Sequence, residues 1–376
     1  MNIGDVLNDT SASAANNALS NIRTTISSNP IVVFGCGNLG KKIGSFLFSK
    51  GFNVAAYSDN NASKWGSELH GVAILSPEQA AEQFKNHAVF IVCIWSPDRS
   101  YAQFKKQLID LGATNVNHAA AIMRLFPDEL LPYYHFQMPD YFLQHKKEIN
   151  DVYELFADEE SKRQYLAHVN CRLNLDFEGL PVADTKNQYF PAGVIKLSEK
   201  ETFLDAGAYN GDTLQDFCQR TEFKYDRYIA LEPDPKNKVD LERKIKELDA
   251  KNVDVYPYAV GKDNCTLKFD ATGGGGAGIS ATGTIDVECV RVDDKFFETA
   301  PTYMKFDIEG AELDALDGAH KTIEAYKPVM AVCIYHLPDD LWTIPLYIKE
   351  KYPFYNIFAR THQYDGLDFV LYAIPK

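Results

Sequence analysis

Positive charge is in short supply in this chain. Its 38 Lys and Arg stand against 52 Asp and Glu, a formal net charge of −14. Binding nucleic acid requires a basic face to neutralise phosphates, so no nucleic-acid partner is expected. No stretch approaches the ~20 consecutive apolar residues of a membrane span, so no membrane partner is expected either. Cysteine amounts to seven residues, with no C-x-x-C pair among them. Several sit in apolar, strand-like runs, which points to buried, reduced thiols in the cytoplasm. The first 29 residues, rich in Ser, Asn and Ala, lack the charged-then-apolar layout of a secretory signal. The glycine run Thr272-Gly-Gly-Gly-Gly-Ala-Gly-Ile279 lacks the Gly-Lys-Ser/Thr ending of a phosphate loop. It is either a mobile lid over a site or a plain loop. None of this excludes a small-molecule substrate.

What is present fits an ordinary globular protein: 45% hydrophobic and 24% charged residues over 376 positions, too many for one typical core. Four segments are expected. Residues 1–29 form a polar lead-in, with a helix over 14–26. Residues 30–120 form a small Rossmann-like domain, 121–200 a helical bridge, and 201–376 the main α/β domain.

The main domain is organised around Thr202-Phe-Leu-Asp-Ala-Gly-Ala-Tyr-Asn-Gly-Asp-Thr213. An apolar run ends at Asp205, glycines 207 and 211 bracket a tight loop, and an amphipathic segment follows: strand, turn, helix. This is not the dinucleotide fingerprint, which brings backbone N–H groups against a pyrophosphate. A carboxylate at a strand end suits a ligand with a cationic end and hydroxyls, as S-adenosylmethionine has; the alternative is a plain helix cap. The next strand, Arg227-Tyr-Ile-Ala-Leu-Glu232, also ends in an acid, at the place where Rossmann-like sites grip a ribose diol.

Strands are expected over 202–206, 228–232, 253–258, 303–307, 329–335, 354–359 and 368–374. Helices separate them except at the last pair, an antiparallel hairpin. That is a doubly wound sheet of seven strands. An insertion after 258 carries two further strand-like runs, 265–269 and 284–292.

From about Tyr189 onward the chain resembles the FkbM-type methyltransferase family. The residues that carry the resemblance are 203–213, Leu231-Glu-Pro-Asp-Pro235, Tyr256-Pro-Tyr-Ala-Val-Gly261 and Val290-Arg-Val-Asp-Asp294. Above all there is Tyr303-Met-Lys-Phe-Asp-Ile-Glu-Gly-Ala-Glu-Leu313, followed by Leu316-Asp-Gly-Ala319. The resemblance covers about half the chain. It implies a class I methyltransferase sheet, S-adenosylmethionine as cofactor, and O-methylation of a small, sugar-like hydroxyl compound. It also implies a cofactor site made of Asp205, Gly207, Tyr209, Asn210, Gly211, Asp212, Thr213, Glu232, Pro233, Tyr258, Ala259 and Asp307.

Methyl transfer to a hydroxyl needs alignment and removal of a proton. The candidates at the ends of the fourth and fifth strands are Asp307, Glu309, Glu312 and His336. Glu309 and Glu312 also suit the first turn of a helix. His336 has the pKa of a general base; His362 is a weaker choice. Asp307, Glu309 and His336 are alternatively a magnesium-like site, although acids at a strand tip are not a metal motif and no metal is expected.

The front domain opens with Ile31-Val-Val-Phe-Gly-Cys-Gly-Asn-Leu-Gly40, a G-x-G-x-x-G loop between strand and helix, with Asp59 ending the next strand. It either binds NAD or a nucleotide-sugar, or keeps the fold for packing, homo-oligomerisation or substrate placement. The rival to a methyltransferase is a binding protein working through this loop. The aromatic cluster Tyr133–Phe136, Tyr141-Phe142 and Tyr189-Phe190 is expected as packing between domains rather than as a substrate pocket.

Overall fold

The computed structural model describes residues 3–271, 273, 278–279 and 283–376, with backbone alone for 9–18. Two compact units result. The first comprises 1–150, 163–185 and 363–367, and the second 151–162, 186–362 and 368–376. The segment 121–200 therefore forms no body of its own; its parts belong to one unit or the other.

The first unit is a six-stranded sheet of β1 (Ile31–Phe34), β2 (Val54–Ser58), β3 (Glu68–Leu69), β4 (Val72–Leu75), β5 (Val89–Val92) and β6 (Val116–His118), in the order β3-β4-β2-β1-β5-β6. All pairings are parallel except β3 with β4. The run Ile-Val-Val-Phe of β1 is buried throughout, as a parallel strand covered on both faces must be. The helix Asn38–Ser49 lies so close to the strand end that a Cβ at Gly40 would come 1.8 Å from the carbonyl oxygen of Gly35. Ser76 with Gln79 and Ser100 with Gln103 form capping boxes that start the helices Pro77–Phe84 and Tyr101–Asp110. The helix Asp9–Ser28 exceeds the expected 14–26 at both ends. Tyr133 and Phe136 stack on Trp95, and Phe136 also meets Phe177, all within this unit's own core.

The second unit contains β7 (Thr202–Ala206), β8 (Arg227–Leu231), β9 (Val253–Tyr256), β10 (Tyr258–Val260), β11 (Cys265–Asp270), β12 (Gly278–Ile279), β13 (Ile285–Val290), β14 (Tyr303–Phe306), β15 (Val329–Cys333), β16 (Tyr355–Thr361) and β17 (Phe369–Pro375). Seven of these form one sheet in the order β16-β17-β15-β14-β7-β8-β9. It is parallel except for β17, which runs antiparallel to both β15 and β16. This is the expected architecture, hairpin included.

Two expected elements are divided. The run 253–258 breaks at Pro257, which has no N–H to give a ladder. β9 stays in the main sheet, while β10 joins β13, β11 and β12 in a sheet of four. The helix expected over 311–326 becomes Glu312–Gly318 and His320–Tyr326, joined at Ala319. Of the glycine run 272–279, residues 272 and 274–277 lie outside the described residues, and the expected lid with them.

Candidate active site

The carboxyl ends of the parallel strands β8, β7, β14 and β15 carry, in that spatial order, Glu232, the 207–213 loop, Asp307 and His336. In open α/β sheets this is the edge where ligands bind.

Gly207 shapes the first loop. Its φ is +82°, and a Cβ there would come 1.9 Å from the carbonyl oxygen of Asp307. Glycine is therefore required both for the left-handed turn and for the approach of the two loops. Gly207→Ala is expected to lower stability by about 1–3 kcal/mol in urea unfolding. A loss within error would mean that the loops separate without cost.

Gly211 (φ +86°) opens the helix Asp212–Arg220 with no side-chain cap. The Asn210 side chain accepts from the Asp212 N–H at 3.2 Å. Glu232 is buried and bridges two strand ends. Its oxygens accept from the N–H of Tyr209 and of Asp234, each at 2.8 Å. Burial raises its carboxyl pKa to about 7 despite these two bonds.

Asp205 requires a correction. It faces no open ligand position: it is wholly buried, accepts from Lys305 Nζ at 2.8 Å and receives the Tyr228 hydroxyl. Lys305 lies directly opposite it in the β7–β14 register and also donates to the carbonyl of Gly207 at 2.7 Å. Asp205 thus positions the loop through Lys305 rather than meeting a cationic ligand itself.

Ala259 also differs from expectation. Its methyl is part of the four-stranded sheet's core, with Phe269, Val287 and Cys289. Tyr258, in the same strand, stacks on Tyr256 at 5.8 Å beneath Lys295.

Beyond β14 the acids converge. Asp307 Oδ2 accepts from the Tyr189 hydroxyl at 2.6 Å, and Oδ1 lies 3.3 Å from His336 Nε2. Glu309, at φ +57°, places Oε1 3.7 Å from the same nitrogen. Glu312, fully buried, accepts through Oε1 from the N–H of Ile308 at 2.9 Å and from His336 Nδ1 at 2.8 Å.

Burial alone would lower the His336 pKa, but Glu312, Asp307 and Glu309 raise it to about 10. Burial raises Glu309 to about 8; on Asp307 it acts upward too, but Lys305 and His336 outweigh it and hold that carboxyl below its usual range. His336 is therefore not the isolated imidazole expected of a general base: three carboxylates surround the ring and favour its protonated form against the pull of burial. His362 is buried against the Tyr372 hydroxyl at 2.6 Å.

Lys305 is not among the residues singled out above, and Tyr189 is there only as a member of the aromatic cluster. Lys305 was visible as a lone charge in the apolar run Tyr303-Met-Lys-Phe306, which demands a buried partner. Tyr189, expected as packing between domains, instead donates to Asp307 across 118 positions, a pairing that no local pattern reveals.

A sheet of this order, with a glycine loop and acids at the carboxyl edge, defines a class I methyltransferase-type α/β domain. Residues 205–363 match the family model of the methyltransferase FkbM domain. A crystal structure of a methyltransferase FkbM from Methylobacillus flagellatus KT shares the fold, with a TM-score of 0.78 over 99% of each chain at 22% identity. The redox-sensing transcriptional repressor Rex of Pelotomaculum thermopropionicum is 28% identical over 104 residues, 27% of this chain and 49% of the repressor. Rex from a Roseiflexus species is 27% identical over 101 residues, 26% of this chain and 46% of the repressor. The chain thus spans about half the length of the curated relatives it matches.

Proposed function

We propose that the protein is an S-adenosylmethionine-dependent methyltransferase of the EC 2.1.1 class, acting on a hydroxyl of a small, sugar-like compound. The observation that carries this reading is the Glu232 bridge inside the FkbM segment. A buried carboxylate at the tip of β8 holds the loop after β7, where a ribose diol would donate to it. In this reading Gly207, Tyr209, Asn210, Gly211, Asp212, Thr213 and Pro233 complete the cofactor's surroundings. Asp307, Glu309 and His336 then face the reacting methyl. The acidic balance of the chain favours a small-molecule partner over nucleic acid. No helix among the described residues is long and apolar enough to cross a membrane. Six of the seven cysteines are buried as free thiols, which supports a cytoplasmic location.

Calorimetry and thermal unfolding of the full chain test the reading. S-adenosylhomocysteine, the demethylated product, is expected to bind and to raise the melting temperature by a few degrees at saturation. Absence of both at about millimolar concentration sinks it.

A second reading gives the first unit an NAD or nucleotide-sugar site, because Gly35, Gly37 and Gly40 do join a strand to a helix. Asp59, the acid that would take the ribose, accepts from the N–H of Cys36 and of Asn61 at 2.8 Å, as Glu232 does from two N–H groups, but unlike Glu232 it is also paired with a cation, the Lys64 ammonium at 2.7 Å. We therefore expect packing, and a use in homo-oligomerisation, rather than ligand binding. Tight NAD binding in the same calorimeter would reverse that choice.

A further inference from the structure

We propose that Asp307, Glu309 and His336 hold one divalent cation, with Glu312 fixing the imidazole that faces it. His336 supplies the first observation. Its side chain is 2% exposed, and Nε2 has no hydrogen-bond partner although two carboxylates flank it. The contacts to Asp307 Oδ1 at 3.3 Å and Glu309 Oε1 at 3.7 Å are long for hydrogen bonds. They match the separation of ligands that share one ion at about 2.1 Å, which is roughly 3.0 Å at a right angle and roughly 3.6 Å at 120°.

The other ring nitrogen supplies the second observation. Nδ1 is engaged by Glu312, itself anchored by the Ile308 N–H. Binding an ion exchanges the Nε2 proton for the metal. Nδ1–H to carboxylate is then the arrangement that turns Nε2 toward a metal and strengthens it as a ligand. Donor atoms of Asp307 and His336 lie within 4.8 Å of one another and of Glu312, which holds the far ring nitrogen, and Glu309 brings its Oε1 to 3.7 Å from Nε2.

The backbone agrees. Glu309 (φ +57°) and Gly310 (φ +97°) form consecutive left-handed residues in the turn that brings Glu309 to the ring. Such strain at a non-glycine residue persists only where the surroundings impose it. Oxygen donors with one imidazole suit manganese, magnesium, iron(II) or zinc rather than a thiophilic ion.

The ion's chemical role rests on the methyl-transfer reading above; its binding does not. An acceptor hydroxyl on the ion ionises and releases its proton to solvent water. Its oxygen then forms a C–O bond to the methyl carbon. The C–S bond breaks with its electron pair left on sulfur, and neutral S-adenosylhomocysteine departs.

The probe is Mn²⁺ titrated into the full chain after EDTA treatment and dialysis, with free Mn²⁺ followed by electron paramagnetic resonance. One ion per chain is expected, with affinity in the range of about 1–100 µM. His336→Gln and Glu309→Gln are each expected to weaken it by about tenfold or more, with circular dichroism confirming the fold. If His336→Gln does not fold, Glu309→Gln carries the test, since that side chain is 21% exposed. No uptake at about millimolar Mn²⁺, or uptake unchanged in the folded variants, overturns the site. S-adenosylhomocysteine binding in EDTA is measured beside it. Binding retained without Mn²⁺ uptake overturns the ion alone, and uptake without cofactor binding overturns the methyl-transfer reading alone.

Discussion

Lys305→Met is expected to destabilise the protein by about 3–5 kcal/mol near neutral pH, the cost of leaving one partner of a buried ion pair alone. Lys305 is 1% exposed and Asp205 fully buried, so solvent cannot screen the orphaned carboxylate. Methionine fills much of the stem's volume, which keeps the loss from being a cavity effect. The Lys305 charge outweighs its own burial: Asp205 and Asp307 hold it protonated, its pKa raised above the usual lysine value.

The effect reaches the loop because Nζ also donates to the carbonyl of Gly207 and lies 4.9 Å from the centre of the Tyr189 ring. The double variant Asp205→Asn with Lys305→Met is expected to recover a large part of the stability, since a buried pair removed whole is often near neutral. It is not expected to recover cofactor affinity, because the Gly207 carbonyl stays unheld. Urea unfolding of the three variants measures the first part and calorimetry the second. A single-variant loss below about 1 kcal/mol would mean that Asp205 finds a proton or a water instead.

This pair shows where sequence reading succeeds and where it stops. The seven-stranded sheet was legible because its parallel strands are continuous apolar runs, each ended by a turn or an acid and followed by a helix-period segment. The Pro257 break was also written in the sequence; treating 253–258 as one strand overlooked a residue that cannot sit inside a ladder. Asp205 stands out in the sequence as a strand-end acid, but its pairing with Lys305 does not. A strand-end carboxylate looks the same whether it faces a ligand or a lysine on the neighbouring strand, and only the β7–β14 register decides. His336 is the sharper case. Its residue type suggests a base, yet Glu312, Asp307 and Glu309, which the fold places around it from another strand end, push its pKa up against the effect of burial. Tyr189 lies outside every local period.

The remaining prediction concerns Glu232. Glu232→Gln is expected to weaken S-adenosylhomocysteine by about 1–3 kcal/mol, because a ribose hydroxyl then loses a charged acceptor in a buried place. The pH dependence is the sharper readout. Burial lifts the folded carboxyl to about 7, against an ordinary value of 4.5. Between those values the folded, ligand-free protein holds more protons than the unfolded chain, so this group's contribution to stability falls as pH rises through that window and levels above it. Binding runs the other way. The diol donates to the ionised form, so affinity in the wild type is expected to climb as pH rises toward and past about 7, then flatten. Both slopes vanish in Glu232→Gln, which has no proton to exchange. Calorimetry across this range, with urea unfolding at matched pH, separates the two trends. Affinity unchanged by the substitution would remove the ribose from Glu232 altogether. A wild-type affinity flat in pH, beside a weakened variant, would leave the residue in place as a scaffold that holds Tyr209 and Asp234 while the diol binds elsewhere.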